Sequence, residues 1–342
     1  MRKIIIASVA LSVLALALAI LLPLKSAGRS RSSAETPPPD PPPPIEELMP
    51  PGSRADKEVL VRVLDGETVL NMTMEQFLIG VVAAEMPAAF ELEALKAQAV
   101  AARTDTLYHM HITPAARHPE ADICTDFACC MAYNSDELLR ERWGRDYLTY
   151  ITKVISAVTE TDAMFMKYEE MPILAVFHSS SSGRTEDSEN VWGNSVPYLK
   201  SVESPENEES VPGFMSTVTV AVSDFLDTFS GSYPEAVFGD DAGEWIKNVE
   251  YNENGRVSTV IIGEVLISGT QLRALFGLRS TALTIELVDE NVVFATKGYG
   301  HGVGMSQYGA NALAKEGKDW REILSAYYTG IEFGGADAVE MV

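Results

Sequence analysis

Basic residues are scarce in this chain. Its 342 residues hold 26 Lys and Arg against 49 Asp and Glu, and five of the 26 lie in the first 31 residues, where no acidic group occurs. The remainder repels phosphate backbones and anionic lipid surfaces, which argues against a nucleic-acid partner. No repeat of fixed period is visible. A regular βαβ rhythm is missing too, which argues against a doubly wound sheet. The glycine-rich stretch Gly298-Tyr299-Gly300-His301-Gly302-Val303-Gly304 lacks both the Lys-Ser/Thr ending of a P-loop and the GxGxxG spacing, so it is no phosphate cradle. Cysteine numbers only three, so any disulfide leaves one thiol over.

What is present begins with Ile4 to Leu24, 21 residues without a charge. That length crosses a hydrocarbon core as a helix, and its long apolar run favours a retained anchor over a cleaved signal. Arg2 and Lys3 on one side are balanced by Lys25, Arg29 and Arg31 on the other, so charge counting leaves the orientation open. Export of the acidic domain is the expected purpose of such an anchor. Residues 29–56 hold nine of the 18 prolines and read as an extended spacer. The expected organisation is an anchor at 1–28, a Pro-rich linker at 29–56, a main domain at 57–333 and a tail at 334–342.

Within the main domain, EVLVRVL and ETVLNM flank Asp65-Gly66 and predict a hairpin. Thr73 to Gln76 fits a capping box, so a helix should run from Met74 to about Pro87, followed by a second from about Glu91 to His109. Met171 to Phe177 and Asn291 to Thr296 read as buried strands that feed small-residue loops, and Trp320 to Tyr328 as an amphipathic helix. Residues 203–290 read as a smaller inserted lobe with its own strands and an Asn254-Gly255 turn. The fold class is α+β, with helices and antiparallel hairpins around a cleft.

From Phe77 to Phe90 the only charge is Glu85. At a helix C-terminus with apolar neighbours its pKa should rise, which suits a general acid; a solvated helix-end Glu is the alternative. On the next helix Arg103 shares the stripe of Leu95, Ala99 and Leu107, and either snorkels or faces a polar cleft. Two loops follow the predicted buried strands. One carries His178, Ser179, Ser180, Ser181 and Ser182; the other carries His301, Gln307 and Tyr308. In HPEADICTDFACC, His118, Cys124 and Cys130 are suitable zinc ligands, with a fourth position open. A disulfide from Cys124 to Cys129 or Cys130 is the competing reading.

Three blocks, LIGVVAAEMPAAFELEALKAQAVAART, FHSSSSGRTEDSENVWGNSVPYLKSV and KGYGHGVGMSQYGANALAKEGKDWREILSAYYTGIE, together resemble the stage II sporulation protein D family of peptidoglycan lytic transglycosylases. The similarity covers most of residues 57–333. It implies cleavage of glycan strands between N-acetylmuramic acid and N-acetylglucosamine during engulfment, leaving 1,6-anhydro ends. It also implies Glu85 as the catalytic acid and Arg103, Tyr198 and Lys200 as functional positions. His178, Ser181, His301, Gln307 and Tyr308 join them as candidate substrate-binding residues. One departure is Ser182-Gly183, where the family commonly has Gly-Gly. Zinc on His118, Cys124 and Cys130, in a structural role and with Cys129 a bystander, is what the resemblance implies for the cysteines.

The implied setting is the mother cell membrane facing the forespore septum, with the catalytic domain outside the cytoplasm. The implied partners are glycan strands and the stage II sporulation proteins P and M. Two other readings remain: a serine hydrolase on the Ser179–Ser182 run, weakened by the lack of G-x-S-x-G, and a non-catalytic activator of a cell-wall amidase.

Overall fold

A computed structural model describes residues 42–113 and 118–335 of the chain. The expected anchor, residues 29–41 of the spacer and most of the tail lie outside the described residues. Among the described residues no helix is long and apolar enough to cross a membrane.

Local chemistry sets the first elements. Leu60–Asp65 and Thr68–Thr73 pair antiparallel around Gly66, and the alternation turns Val61 and Val63 fully inward. Thr73 then caps the helix Met74–Glu85 in a reciprocal capping box with Gln76. Pro87 ends it: the residue before a proline avoids the α region, and Met86 is extended at φ −116° and ψ 143°. Glu85 is therefore the last helical residue.

The next helix, Leu92–His111, forms the centre of the main core. Its buried Ala94, Ala97, Ala99, Ala101 and Ala102 keep it slim, so the helices Met74–Glu85, Tyr147–Thr159, Gln307–Lys315 and Trp320–Tyr327 pack around it. Helices and largely antiparallel sheets are mixed in one α+β unit. Two parallel pairings are exceptions that matter for the site. Ile123–Cys124 lies against Val63 and Leu64, and Phe177–His178 lies against Met305–Ser306.

A second core gathers Phe225, Phe229, Val260, Ile262, Leu272 and Phe294. It is built from the sheet of Ile246–Tyr251, Val257–Ile262 and Val265–Ser268, and from a second sheet with Asn291–Lys297 in its middle. Asn291–Lys297 thus packs with the smaller lobe, beyond the 203–290 expected for it: it forms a hairpin with Leu283–Val288 and pairs on its other edge with the distant Met215–Ala221. The expected strand Met171–Phe177 resolves into two short strands with different partners: Met171–Pro172 pairs with Phe165–Tyr168, and Phe177–His178 with Met305–Ser306.

The spacer is also shorter than 29–56. Pro43 O accepts from Arg140 Nη2 at 2.7 Å, Arg54 pairs with Glu75, and Asp56 is buried. Residues 43–56 are therefore part of the domain surface and core.

Candidate active site

Glu85 opens on a cleft of about 470 Å³. Its Oε1 accepts from the Ala132 N–H at 2.7 Å, and its Oε2 lies 3.5 Å from the Gln307 amide nitrogen. That amide also donates to Gln98 Oε1 at 3.3 Å. Burial raises the pKa of Glu85, and the two hydrogen bonds only partly oppose it. The Ala132 contact depends on Gly80, one helical turn earlier. A Cβ at Gly80 would stand 2.2 Å from the Tyr133 ring and 2.9 Å from Asn134 O, so only glycine lets this segment lie against the helix.

The opposite wall carries His178 and His301, with ring centroids 5.7 Å apart. His178 Nδ1 faces Val303 O at 3.1 Å, which places its proton there and leaves Nε2 as an acceptor. His301 Nδ1 accepts from the Val303 N–H at 3.1 Å. Burial, assisted by the charge of Arg273, pushes His301 down to about 4, and burial holds His178 well below the usual imidazole value. Both rings are neutral near pH 7. They supply no charge, and backbone groups of Val303 and Phe177 hold the His301 ring in place.

Several lining residues were not singled out from the sequence. Asp105 and His109 line the cleft beside Glu85, with His109 Nε2 3.5 Å from Asp105 Oδ2. The readable signal is a polar face on an otherwise apolar helix: Gln98, Asp105 and His109 fall at i, i+7 and i+11. Phe127, Trp192 and Tyr299 are exposed rings on the same cleft, and Trp192 stands 5.5 Å from His301. Exposed rings of this kind offer flat apolar faces to a ligand. Arg273, from the helix Gly269–Leu275 of the smaller lobe, completes the wall.

Of the expected substrate-binding residues, the structure brings His178, His301 and Gln307 to Glu85 and places five elsewhere. Arg103 neither snorkels nor faces the cleft. It is 1% exposed, its Nη2 is 2.6 Å from Asp56 Oδ2, and its Nε meets the same carboxylate; Nη1 donates to Met164 O at 3.0 Å. Its donors are used inside the core. Ser181 gives both its N–H and its hydroxyl to Glu206 Oε1, at 2.6 and 3.0 Å, and Ser306 joins the same carboxylate. Tyr198 acts at one remove, its hydroxyl accepting from the N–H of the cleft residue Leu174 at 3.1 Å. Lys200 donates to Ser195 Oγ at 2.8 Å, and the Tyr308 ring packs edge-on against Phe90. No serine of the 179–182 run is hydrogen-bonded to His178 or His301 among the described residues, so the geometry lacks a nucleophile–base pair.

The cysteine segment forms the third wall. The turn at Asp126, whose carbonyl accepts from the N–H groups of Cys129 and Cys130, folds the thiols towards His118. The ligand atoms of His118, Cys124, Cys129 and Cys130 all lie within 4.8 Å of one another. Cys129 Sγ and Cys130 Sγ are 3.4 and 3.5 Å from His118 Nε2 and 3.8 Å from each other. Zinc bonds of about 2.3 Å to sulfur and about 2.0–2.1 Å to nitrogen give tetrahedral edges of about 3.8 and 3.6 Å, so the donor set fits that ion. All three cysteines are free thiols. Cys129, expected to be a bystander, stands in the cluster because two adjacent residues in a tight turn can both face inward.

Comparison with known proteins bears on this arrangement. A family model described as "SpoIID: Stage II sporulation protein" matches residues 65–168, which contain Glu85, Asp105 and the three cysteines. Stage II sporulation protein D of Bacillus subtilis (strain 168) is 37% identical over 273 residues, 80% of this chain and 77% of that protein. The chain belongs to the stage II sporulation protein D family. A second relative, stage II sporulation protein D of Bacillus amyloliquefaciens, is 37% identical over 271 residues, 79% of this chain and 77% of that one. A more distant one, the "Amidase enhancer" of Bacillus subtilis (strain 168), is 29% identical over 300 residues, 73% of this chain and 39% of its own length. Family membership gives the sporulation context.

Proposed function

We propose that the chain is a lytic transglycosylase that cleaves peptidoglycan glycan strands between N-acetylmuramic acid and N-acetylglucosamine during engulfment. The observation that carries this reading is Glu85: a carboxyl whose pKa burial raises, held by a backbone N–H at the mouth of a ring-lined cleft. Glu85 gives its proton to the glycosidic oxygen as the bond to the anomeric carbon breaks. The 6-hydroxyl of the muramic sugar attacks that carbon and returns its proton to Glu85. The product is a 1,6-anhydro end, and the carboxyl is regenerated without a second acid or a water molecule. Gln307 is placed to hold a sugar hydroxyl beside Glu85, His178 and His301 form a neutral wall, and Phe127, Trp192 and Tyr299 offer faces to pyranose rings.

The experiment is digestion of purified strands by this protein alone, with the new ends read by mass spectrometry. Anhydro ends support the proposal. Ordinary reducing ends would instead make Asp105 a water-activating second carboxylate, the arrangement of a hydrolase. No cleavage at all, with stimulation of an added amidase, would favour the activator reading that the amidase-enhancer relative suggests.

His118, Cys124, Cys129 and Cys130 would hold zinc with four protein ligands, a closed shell that suits a structural ion. Such an ion would fix the segment that ends two residues later at Ala132, the residue whose N–H holds Glu85. Purified protein is expected to carry one zinc per chain, with His118→Ala lacking it and Cys129→Ser losing it to a chelator at lower concentration. Elemental analysis showing no zinc in the unsubstituted chain would refute the site. An N-terminal anchor that places the domain outside the cytoplasm, at the mother cell membrane, and contacts with stage II sporulation proteins P and M complete the proposal.

A further inference from the structure

Arg273 is the one Lys or Arg side chain lining the cleft among the described residues. Its place is well fixed. The helix that carries it is capped by a reciprocal box between Ser268 and Gln271, and Gly269 packs so tightly on the neighbouring strand that a Cβ there would stand 2.0 Å from Val257 O. Its Nε points back into the lobe, facing the carbonyls of Leu278 and Arg279 at 3.2 Å each. The two terminal nitrogens have no hydrogen-bond partner among the described residues, and no carboxylate lies within ion-pair distance. In a chain with 49 acidic and 26 basic residues, an unpaired half-buried guanidinium is out of keeping with composition.

Its surroundings sharpen the point. Burial disfavours its charge, and the opposing influence is the Tyr299 ring hydroxyl rather than a carboxylate. The histidines beside it are neutral, in part because of it. A guanidinium tethered at Nε and free at both terminal nitrogens presents a planar pair of donors, which matches a carboxylate.

We propose that Arg273 is the carboxylate-binding group of this cleft, gripping an acid on the glycan strand through its two terminal nitrogens. The assignment rests on the reading of the cleft as a glycan site. The acid has two sources with the same chemistry: the lactyl carboxylate of a peptide-free muramic sugar, or a carboxylate of an attached stem peptide. Arg273 would then be a specificity-determining residue supplied by the smaller lobe, across the cleft from Glu85.

The test is binding to the full-length chain carrying Glu85→Gln, so that no strand is cut, followed by calorimetry. Three probes are compared: peptide-free glycan oligomers, the same oligomers with methyl-esterified lactyl groups, and peptide-bearing strands. The free acid should bind about 10- to 100-fold more tightly than the ester, as expected for hydrogen bonds to a charged group. Adding Arg273→Gln should erase that difference, and Arg273→Lys should restore part of it, in a more salt-sensitive form. Peptide-bearing strands that bind more tightly than the ester, in an Arg273-dependent way, while the free acid does not, would place the carboxylate on the stem peptide. If, with Arg273 intact, neither the free acid nor the peptide-bearing strands bind more tightly than the ester, the Arg273 assignment falls and the glycan reading stands. If no glycan binds in any form, both fall. Because the acid–ester comparison is also made with Arg273 intact, a misfolded Arg273→Gln chain does not shield the proposal from refutation.

Discussion

Glu85→Gln should slow strand cleavage by roughly 10²–10⁴-fold, the usual worth of a positioned general acid, while leaving the fold intact. The amide keeps an acceptor for the Ala132 N–H and is close to Glu in shape, but it has no proton to give to the glycosidic oxygen. Two further signs follow from the raised pKa of Glu85. Activity needs the protonated carboxyl at the start of the reaction, so the rate should fall as pH rises through a value above the ordinary 4.5 of a glutamate. Stability moves the same way. A carboxyl whose folded pKa exceeds its unfolded one favours the fold below the unfolded value, and that contribution is lost as pH climbs through the folded value. Near neutral pH the amide should therefore unfold no earlier than the wild type in urea. A correctly folded Glu85→Gln protein that still makes anhydro ends at the wild-type rate would end the mechanism.

Arg103→Ala is expected to act through the fold. Arg103 and Asp56 are 1% and 3% exposed and share a bidentate contact, so removing either leaves a buried, uncompensated charge or a cavity. Breaking a buried pair in this way costs about 3–5 kcal/mol, a large part of the stability of an ordinary domain. Asp56→Ala should destabilise by a similar amount although it lies at the edge of the expected spacer. The double change of Arg103→Met with Asp56→Leu should recover much of the loss, since it leaves no lone charge behind. Denaturant midpoints for the three proteins decide the matter. An Arg103→Ala chain as stable as wild type but unable to bind glycan would return Arg103 to substrate recognition.

These two residues also mark how far the sequence is legible. Glu85 stands out because its signals are local: an apolar helix, a lone carboxylate, and Pro87 fixing where the helix stops. The capping box at Thr73 and the hairpin at Asp65-Gly66 are legible for the same reason. Arg103 is not, because its partner Asp56 lies 47 residues away in a stretch that composition assigns to the spacer. Arg273 gives no signal at all; its role depends on how a lobe helix meets a loop. Cys129 is misjudged when spacing is read as a linear pattern, whereas the turn at Asp126 gathers neighbours that a linear pattern separates.

Glu186, 1% exposed, has a consequence of its own. Its carboxylate accepts from the amides of Asn190 at 2.8 Å, Asn252 at 2.7 Å and Asn254 at 2.5 Å, and Arg256 stands 3.7 Å away. Three of these four partners come from the turn between Ile246–Tyr251 and Val257–Ile262, in the smaller lobe. If that lobe unravelled alone, the carboxylate would lose the three partners that this turn supplies, and with them a charge-assisted network. The carboxylate thereby ties the two cores together, and a chain shortened to remove 215–297 would lose Arg273 from the cleft and these three partners from Glu186.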